Sequence, residues 1–494
     1  MEEKYIVALE IGSSKIKGAI GTVDPQGTLS IKAVEEEKLC DGVRYGCIRN
    51  VVETAGAIRN VIERLEMREP GRNVNGVYVS VGGRSLMAQS IEIERRLPRE
   101  MEITGELIDE MTDDALNYQI HERKIVDVTP MEFRVDNVPA NRVVGTFGSH
   151  VSARLNLISC RNQLVKNLNH VLDERLRLTV HNIFVRQIAE ADLVLYTEEK
   201  RQGCMLVDFG AETTTVSIYK NGVLLYMVTI PMGSRNITRD ITALNYLEEH
   251  AEQLKITGGN ALSTPEPAAL PSNNGQPDFG QINNYVSARA GEIIANINEQ
   301  IKYAGLTPDK LPGGIILVGR GSKLNGFDRR LENLTTMKVR YGVPVNRLRI
   351  LDGRINASDH VDVISILAAA AKERDVRECL TRPEPMTVVT EPLYPVAEET
   401  PRRQPAYTGQ PQQQPAQQPV SQQVQQPQQP QKPTYATHNY PQPQTQTQTQ
   451  AAAEEKHAPA PEKKRGFSLW NNVRERLVNL MTEPVEDDDI DNDN

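Results

Sequence analysis

The stretch VALEIGSSKIKGAIG, Val7 to Gly21, reads as a strand, a tight polar turn and a second strand. The turn, Gly12, Ser13, Ser14 and Lys15, is entered by an acid, Glu10. Small residues let backbone N–H groups approach a phosphate closely, and a lysine adds positive charge. The same form returns within Gly203–Ile237, as a strand carrying Asp208, a turn with Gly210, Thr213 and Thr214, a further strand, and a hairpin at Asn221-Gly222. A third segment, Gly313–Phe327, runs from an aliphatic strand into Gly319-Arg320-Gly321-Ser322 and then a helix. Taken singly, these are equally an ordinary turn, a pair of hairpins and a helix-entry loop. Taken in order, they suit a nucleotide, with two turns gripping phosphates from opposite sides and a loop offering backbone to base and ribose. Glu10 and Asp208, one acid near the end of each first strand, suit a water-mediated Mg²⁺, which takes few carboxylates alongside waters and phosphate.

A chain of 494 residues exceeds one compact core and predicts two or three domains. A net charge of -9 argues against a nucleic-acid footprint over the whole molecule, so no nucleic-acid partner is expected. Five scattered cysteines without a C-x-x-C pair support neither a disulfide framework nor a zinc site, and read as reduced thiols. The N-terminus enters a strand at once, which predicts no signal peptide. The longest aliphatic run, Val363 to Ala371, is about half a membrane span.

Up to about residue 384 the pattern alternates strand-like and helix-like segments, an α/β signature. Strands are predicted at Tyr5–Glu10, Val77–Gly82, Cys204–Phe209, Thr214–Tyr219, Leu224–Ile230 and Gly314–Val318. Helices are predicted over ETAGAIRNVIERLEM, CRNQLVKNLNHVLDERL and SARAGEIIANINEQIKYAG, with a surface loop at Thr264–Gln276.

Residues 401–450 break the pattern: twenty-nine of these fifty positions are Gln or Pro, too few apolar groups to offset the entropy of ordering. With its flanks, 385–465 is predicted to be a disordered linker with an r.m.s. span of about 50 Å. Beyond it, residues 466–481 form an amphipathic helix pattern. Phe467, Leu469, Trp470, Val473, Leu477, Val478, Leu480 and Met481 share one half of the wheel, behind the basic run Lys463, Lys464 and Arg465. Such a segment suits a membrane interface, for which Phe467, Trp470, Val473, Leu477, Leu480 and Met481 are the candidate contacts. Packing back on the body and binding a calmodulin-type partner are the competing readings. The acidic tail 482–494 works against anionic lipid.

The order of phosphate turn, second phosphate turn and adenosine loop resembles the actin-like ATPase superfamily. Within it the chain resembles the FtsA family of bacterial cell-division proteins, over residues 1 to about 380 and again in the linker-and-helix tail. EITGELIDEM, HERKIVDVTPMEFRVDNV and PANRVVGTFGSHVSARLNLIS resemble that family's inserted 1C subdomain. GSRNITRDI, headed by Gly233, and EEHAEQLKITGG resemble its helical 2B region. The resemblance implies a two-lobed actin-like (ribonuclease H-like) fold. Its parts would be subdomain 1A at 1–82 and 162–202, 1C at 83–161, 2A/2B at 203–384, linker 385–465, membrane helix 466–481 and tail 482–494. It implies ATP and Mg²⁺ as ligands, polymerisation, binding of the FtsZ C-terminal peptide, recruitment of later division proteins partly through 1C, and peripheral attachment to the anionic cytoplasmic face of the inner membrane at the division site. By residue, it implies phosphate contacts from Gly12, Ser13, Ser14, Lys15, Asp208, Gly210, Thr213 and Thr214, and cofactor contact at Gly233. It implies adenosine or ribose contacts from Glu252, Lys255, Glu292, Gly319, Gly321 and Ser322, and self-interaction at Arg289.

The chain departs from the family at Glu10 and Thr215, where Asp is usual, at Ala211 and Glu212 within a triple glycine, and at Arg320 within the adenosine loop. Glu212 puts negative charge beside a phosphate site, and Arg320 is expected to offset it or to stack on the base. Slow or absent hydrolysis follows, with no catalytic residue assigned. The competing readings are an ATP-hydrolysing enzyme of this fold, such as a small-molecule kinase, and an actin-like adaptor of another membrane machine such as pilus assembly. A chaperone would need a β-domain where the Gln/Pro tract stands.

Overall fold

The computed structural model describes residues 3–140, 142–263 and 277–382. Every described residue belongs to one compact unit within Met1–Glu384. The predicted loop Thr264–Gln276, the linker, the amphipathic segment with Phe467, Trp470, Val473, Leu477, Leu480 and Met481, and the acidic tail lie outside the described residues.

Two sheets with the same local plan form the lobes of an actin-like fold. In the first, Lys4–Ile11 pairs antiparallel with Lys15–Val23 and parallel with Gly76–Val81. The full order is Thr179–Val185, Gly76–Val81, Lys4–Ile11, Lys15–Val23, Leu29–Lys38, Arg349–Ile350. In the second, Cys204–Phe209 pairs antiparallel with Thr214–Lys220 and parallel with Ile315–Val318. Val223–Ile230 and Val339–Tyr341 complete its edges. Both central strands are near-continuous apolar runs because both of their faces are covered. The Asn221-Gly222 hairpin has both central φ values positive, 54° and 80°, as a type I′ turn requires.

Helix Val51–Arg68 covers the first sheet. Asn50 caps it by accepting from the amides of Val52 and Glu53, and Ile58, Val61, Ile62 and Leu65 form its buried stripe. The aliphatic run near residue 365 is the core helix Val361–Ala371, packed against Lys4–Ile11 and helix Arg186–Val194. Among the described residues no helix is long and apolar enough to cross a membrane.

A third, four-stranded antiparallel sheet is built from Met87–Glu102, Phe147–Arg161, Arg123–Val135 and Val138–Pro139. Helix Gly105–Leu116 closes it over a separate core that includes Ile108, Met111, Phe133 and Leu155. This unit joins the second lobe through Asn156, whose Nδ2 donates to the Leu224 carbonyl at 2.7 Å.

Two predicted helices differ in extent. CRNQLVKNLNHVLDERL is α-helical over Asn162–Asn169 and then widens into a π turn, His170–Arg175, which buries Val171 and Leu172. The helix predicted from Ser287 begins earlier, at Phe279, because Asp278 accepts from the Gln281 amide and caps it.

A candidate nucleotide cleft between two matched turns

The two turns are closed in the same way. The Gly12 amide donates to the Lys15 carbonyl at 3.0 Å, and the Gly210 amide to the Thr213 carbonyl at 2.9 Å. Each lies between paired antiparallel strands, so the same sheet plan delivers both to a single cleft. That cleft, about 720 Å³ including its open mouth, is lined by Gly12, Ser13, Ser14, Lys15, Gly210 and Thr213, together with Gly319. Gly319 has φ +81°, and a Cβ there would lie 2.5 Å from the Phe209 carbonyl oxygen. Glycine is therefore what lets the third loop lie against the end of strand Cys204–Phe209.

The floor of the cleft is a buried ionic network. Arg186, the first residue of its helix, donates through one terminal nitrogen to Glu10 Oε1 at 2.5 Å and through the other to Asp208 Oδ2 at 2.6 Å. Gln187 Nε2 donates to the same Asp208 oxygen at 3.0 Å. Alongside, Lys17 Nζ donates to Asp362 Oδ2 at 2.5 Å. Burial pushes the Glu10 carboxyl up to about 7 even though the Arg186 guanidinium pulls it the other way. Burial also raises Asp362, but Lys17 more than reverses this and leaves it below its ordinary value. Glu190, one turn beyond Arg186, is raised by burial and by the Asp208 charge, and neither of its oxygens accepts a hydrogen bond. Glu10 and Asp208, expected as magnesium partners through water, are thus joined by a guanidinium. Among the described residues no group of three His, Cys, Asp or Glu side chains is placed to hold a metal ion. The two strand-end carboxylates are already paired with a protein cation, which is not the free pair that Mg²⁺ would take alongside its waters and phosphate.

Charge at the cleft wall and mouth is paired across the lobes. Glu212 Oε2 accepts the Tyr45 amide at 2.7 Å, and its other oxygen lies within 2.7–3.4 Å of Arg44, Arg235 and Arg239. Its charge is therefore offset by three arginines rather than by Arg320. Arg320 reaches the other way, to Glu36 Oε2 at 2.8 Å, and Glu36 also pairs with Lys15.

Several expected ligand residues support the cleft from outside its lining. Thr214 Oγ1 donates to the Met232 carbonyl, and Ser322 Oγ to the Gly319 carbonyl within the third loop that also holds Gly321. Gly233 heads helix Ser234–Ile241, which docks on the second turn through amides of Ser234 and Arg235 bonded to the Gly210 and Ala211 carbonyls. Lys255 is buried against that helix, donating to Thr238 Oγ1 at 2.9 Å and to Glu252 at 2.7 Å, and burial lowers its pKa. Glu292 pairs with Arg289, which also grips Asp240 through two nitrogens at 2.6 and 3.1 Å. Arg289 thus ties the long helix Phe279–Tyr303 to helix Ser234–Ile241. Thr215 shares a 3.0 Å hydroxyl contact with Thr229.

Lys17, Gly46, Ser80, Gly82, Gly83, Arg186 and Asp362 also line the cleft and were not singled out by sequence reasoning. A signal for Arg186 existed: Arg186 and Glu190 are an i,i+4 charged pair inside the largely apolar FVRQIAEADLV.

The family model described as cell division protein FtsA matches residues 205–365. Cell division protein FtsA of Porphyromonas gingivalis is 30% identical over 345 residues, covering 67% of this chain and 72% of that protein. The Escherichia coli K12 protein of the same name is 26% identical over 371 residues, covering 71% and 87% respectively. Among solved structures, the PilM-PilN type IV pilus biogenesis complex superposes with a TM-score of 0.53 at 15% identity, covering 74% of this chain and 96% of that one. This last likeness carries the fold alone, whereas the sequence relatives carry a family. The chain belongs to the FtsA family of cell-division proteins.

Proposed function

We propose that this protein is a nucleotide-binding, membrane-tethered adaptor of bacterial division. In this reading ATP lies in the cleft, with its phosphates between the Gly12–Lys15 and Gly210–Thr213 turns and its adenosine toward Gly319, Gly321 and Ser322. The matched closure of those two turns across one cleft is the observation that carries the nucleotide reading. Glu252, Lys255 and Glu292 sit on the helices that back the second turn, and act by holding those helices or by contacting the adenosine edge. Hydrolysis is slow or absent, because Glu10 and Asp208 are both committed to Arg186 rather than to a water.

The chain self-associates into actin-like filaments and binds the FtsZ C-terminal peptide through its 2B helices. It recruits later division proteins through the sheet unit within 83–161. Residues 466–481 lie in the anionic cytoplasmic surface of the inner membrane, with Trp470 on the inserted half. Family membership and the one-sided apolar wheel support this part of the reading.

The test is co-sedimentation of the full chain with FtsZ on anionic vesicles, read together with the emission of Trp470, the only tryptophan. Capture of FtsZ should require both the vesicles and the FtsZ C-terminal peptide, with a blue shift of Trp470 that Trp470→Glu abolishes. Vesicle binding without FtsZ capture would favour an actin-like adaptor of another machine. Loss of both would leave a soluble enzyme of this fold.

A further inference from the structure

The carboxylates on the cleft floor are the groups a divalent cation would seek, yet protein cations already hold them. Arg186 bridges Glu10, near the end of the first lobe's central strand, to Asp208, in the matching place on the second. Its side chain is 14% exposed, and those of its two partners are 5% and 4% exposed. A planar guanidinium with a fixed fork of donors suits two carboxylates approaching from different directions, and it does not lose its proton in a protein. Burial opposes its charge, but Asp208, Glu10 and Glu190 more than offset that.

Arg186 is also fixed in place. It begins helix Arg186–Val194 directly after strand Thr179–Val185, so backbone on both sides sets its position. Turning it out of the cleft would leave Glu10 and Asp208 buried together beside Glu190, with only Lys17, itself bonded to Asp362, as a nearby cation, which is unfavourable. Magnesium, by contrast, demands near-octahedral oxygens and is reluctant to shed its waters. The second cation of the floor, Lys17, is likewise committed, to Asp362.

We propose that Arg186 is the resident cation of this cleft: it joins Glu10 and Asp208 in the place a divalent metal would take, and a phosphate-bearing ligand is held here without a metal bound to the protein. The ligand half of this statement rests on the nucleotide reading above; the metal half does not. Arg186 is a positioning residue in this role, aligning the two strand-end carboxylates and through them the two turns.

The experiment starts with thermal melting of the full chain without nucleotide, in millimolar MgCl₂ or MnCl₂ against NaCl of matched ionic strength. The wild-type midpoint should be the same in all three salts, and free Mn²⁺ read by electron paramagnetic resonance should not fall on adding protein. Arg186→Met frees Glu10 and Asp208, so its midpoint should become metal-dependent and rise with Mg²⁺ or Mn²⁺. If Arg186→Met does not fold, the wild-type manganese titration still decides the metal half. Uptake of one Mn²⁺ per wild-type chain, lost in Asp208→Asn, would overturn it, as would a folded Arg186→Met that melts identically in every salt. Binding of labelled ADP is then compared in Mg²⁺ and in EDTA, where affinities within about twofold are expected. Weakening by about tenfold or more in EDTA, roughly 1.4 kcal/mol, would overturn the ligand half. Absence of ADP uptake in both buffers would overturn the nucleotide reading and the ligand half with it, and the melting and manganese results would decide the metal half by themselves.

Discussion

Glu212 Oε2 accepts the backbone N–H of Tyr45 at 2.7 Å, so a side chain of the Gly210–Thr213 turn is bonded to the main chain of the opposite lobe. A glycine at this position would have no side chain with which to make this bond. Here the carboxylate, 1% exposed, also draws in Arg44 from the first lobe and Arg235 and Arg239 from the second. Glu212 is a clasp across the cleft. Glu212→Ala should lower stability toward the lower end of the roughly 3–5 kcal/mol seen when one member of a buried pair is removed, since Arg44 and Arg239 retain some solvent. Urea unfolding gives that value, and amide exchange at Tyr45 should speed up in the same variant. An unchanged exchange rate would mean that the clasp does not hold the lobes.

Glu36 restrains the cleft mouth by pairing with both Lys15 and Arg320. Burial alone would raise its pKa, but the bond to Lys15 leads the cationic contacts that bring it below its ordinary value, so it is charged at neutral pH. Glu36→Gln removes one negative charge and releases two cations toward an incoming anion. One unit charge at about 4 Å in water is worth about 1 kcal/mol, so ATP should bind about fivefold more tightly by calorimetry. The gain should shrink as salt is raised.

Glu10 gives a pH signature. Its pKa in the fold, about 7, exceeds the ordinary 4.5, so the folded chain holds this proton more tightly than the unfolded one. The Glu10 contribution is therefore fully present below about 4.5, falls as pH rises through the window to about 7, and is flat above it. Glu10→Gln removes that titration. The stability difference between wild type and Glu10→Gln should decline with pH across this window, with a slope on the order of 1 kcal/mol per pH unit. Denaturant titrations of both proteins at several pH values measure it, and a pH-independent difference would contradict the assignment.

Gly319→Ala tests the third loop. With φ at +81° and the new Cβ 2.5 Å from the Phe209 carbonyl and 2.7 Å from Asp208 Oδ1, the loop or the strand end must move. Strain of roughly 1–3 kcal/mol is expected, read as a lower melting midpoint, together with weaker nucleotide uptake. Gly353→Ala, where a Cβ meets nothing within 4 Å, is the control and should melt as wild type does.

What the sequence disclosed was local. Cys204–Phe209 was legible to the residue because an apolar run interrupted only by Asp208 ends at a Gly turn, and the Asn-Gly hairpin followed from its turn chemistry. The turns at Gly12 and Gly210 were legible for the same reason. The ionic floor was not, because its bonds join distant positions: Arg186 and Glu10 are 176 residues apart, and Arg320 and Glu36 are 284 apart. An arginine in a helix reads as solvent-facing until tertiary packing supplies its carboxylates. Glu212 was legible as a charge within a glycine-bearing turn, but no local pattern connects it to Arg44 or to the helix that carries Arg235 and Arg239. The start of the long helix was missed because Asp278 follows directly on Pro277 and a stretch of turn-like composition.

The most direct measurement is equilibrium dialysis of labelled ATP against the full chain, beside Gly319→Ala and a Gly210→Val variant that crowds the second turn. The expected result is uptake approaching one ATP per wild-type chain, weakened in Gly319→Ala and lost in Gly210→Val while the fold, judged by circular dichroism, is kept. No uptake by the wild type at high micromolar ATP, or equal uptake by all three proteins, would contradict the assignment of this cleft as the nucleotide site.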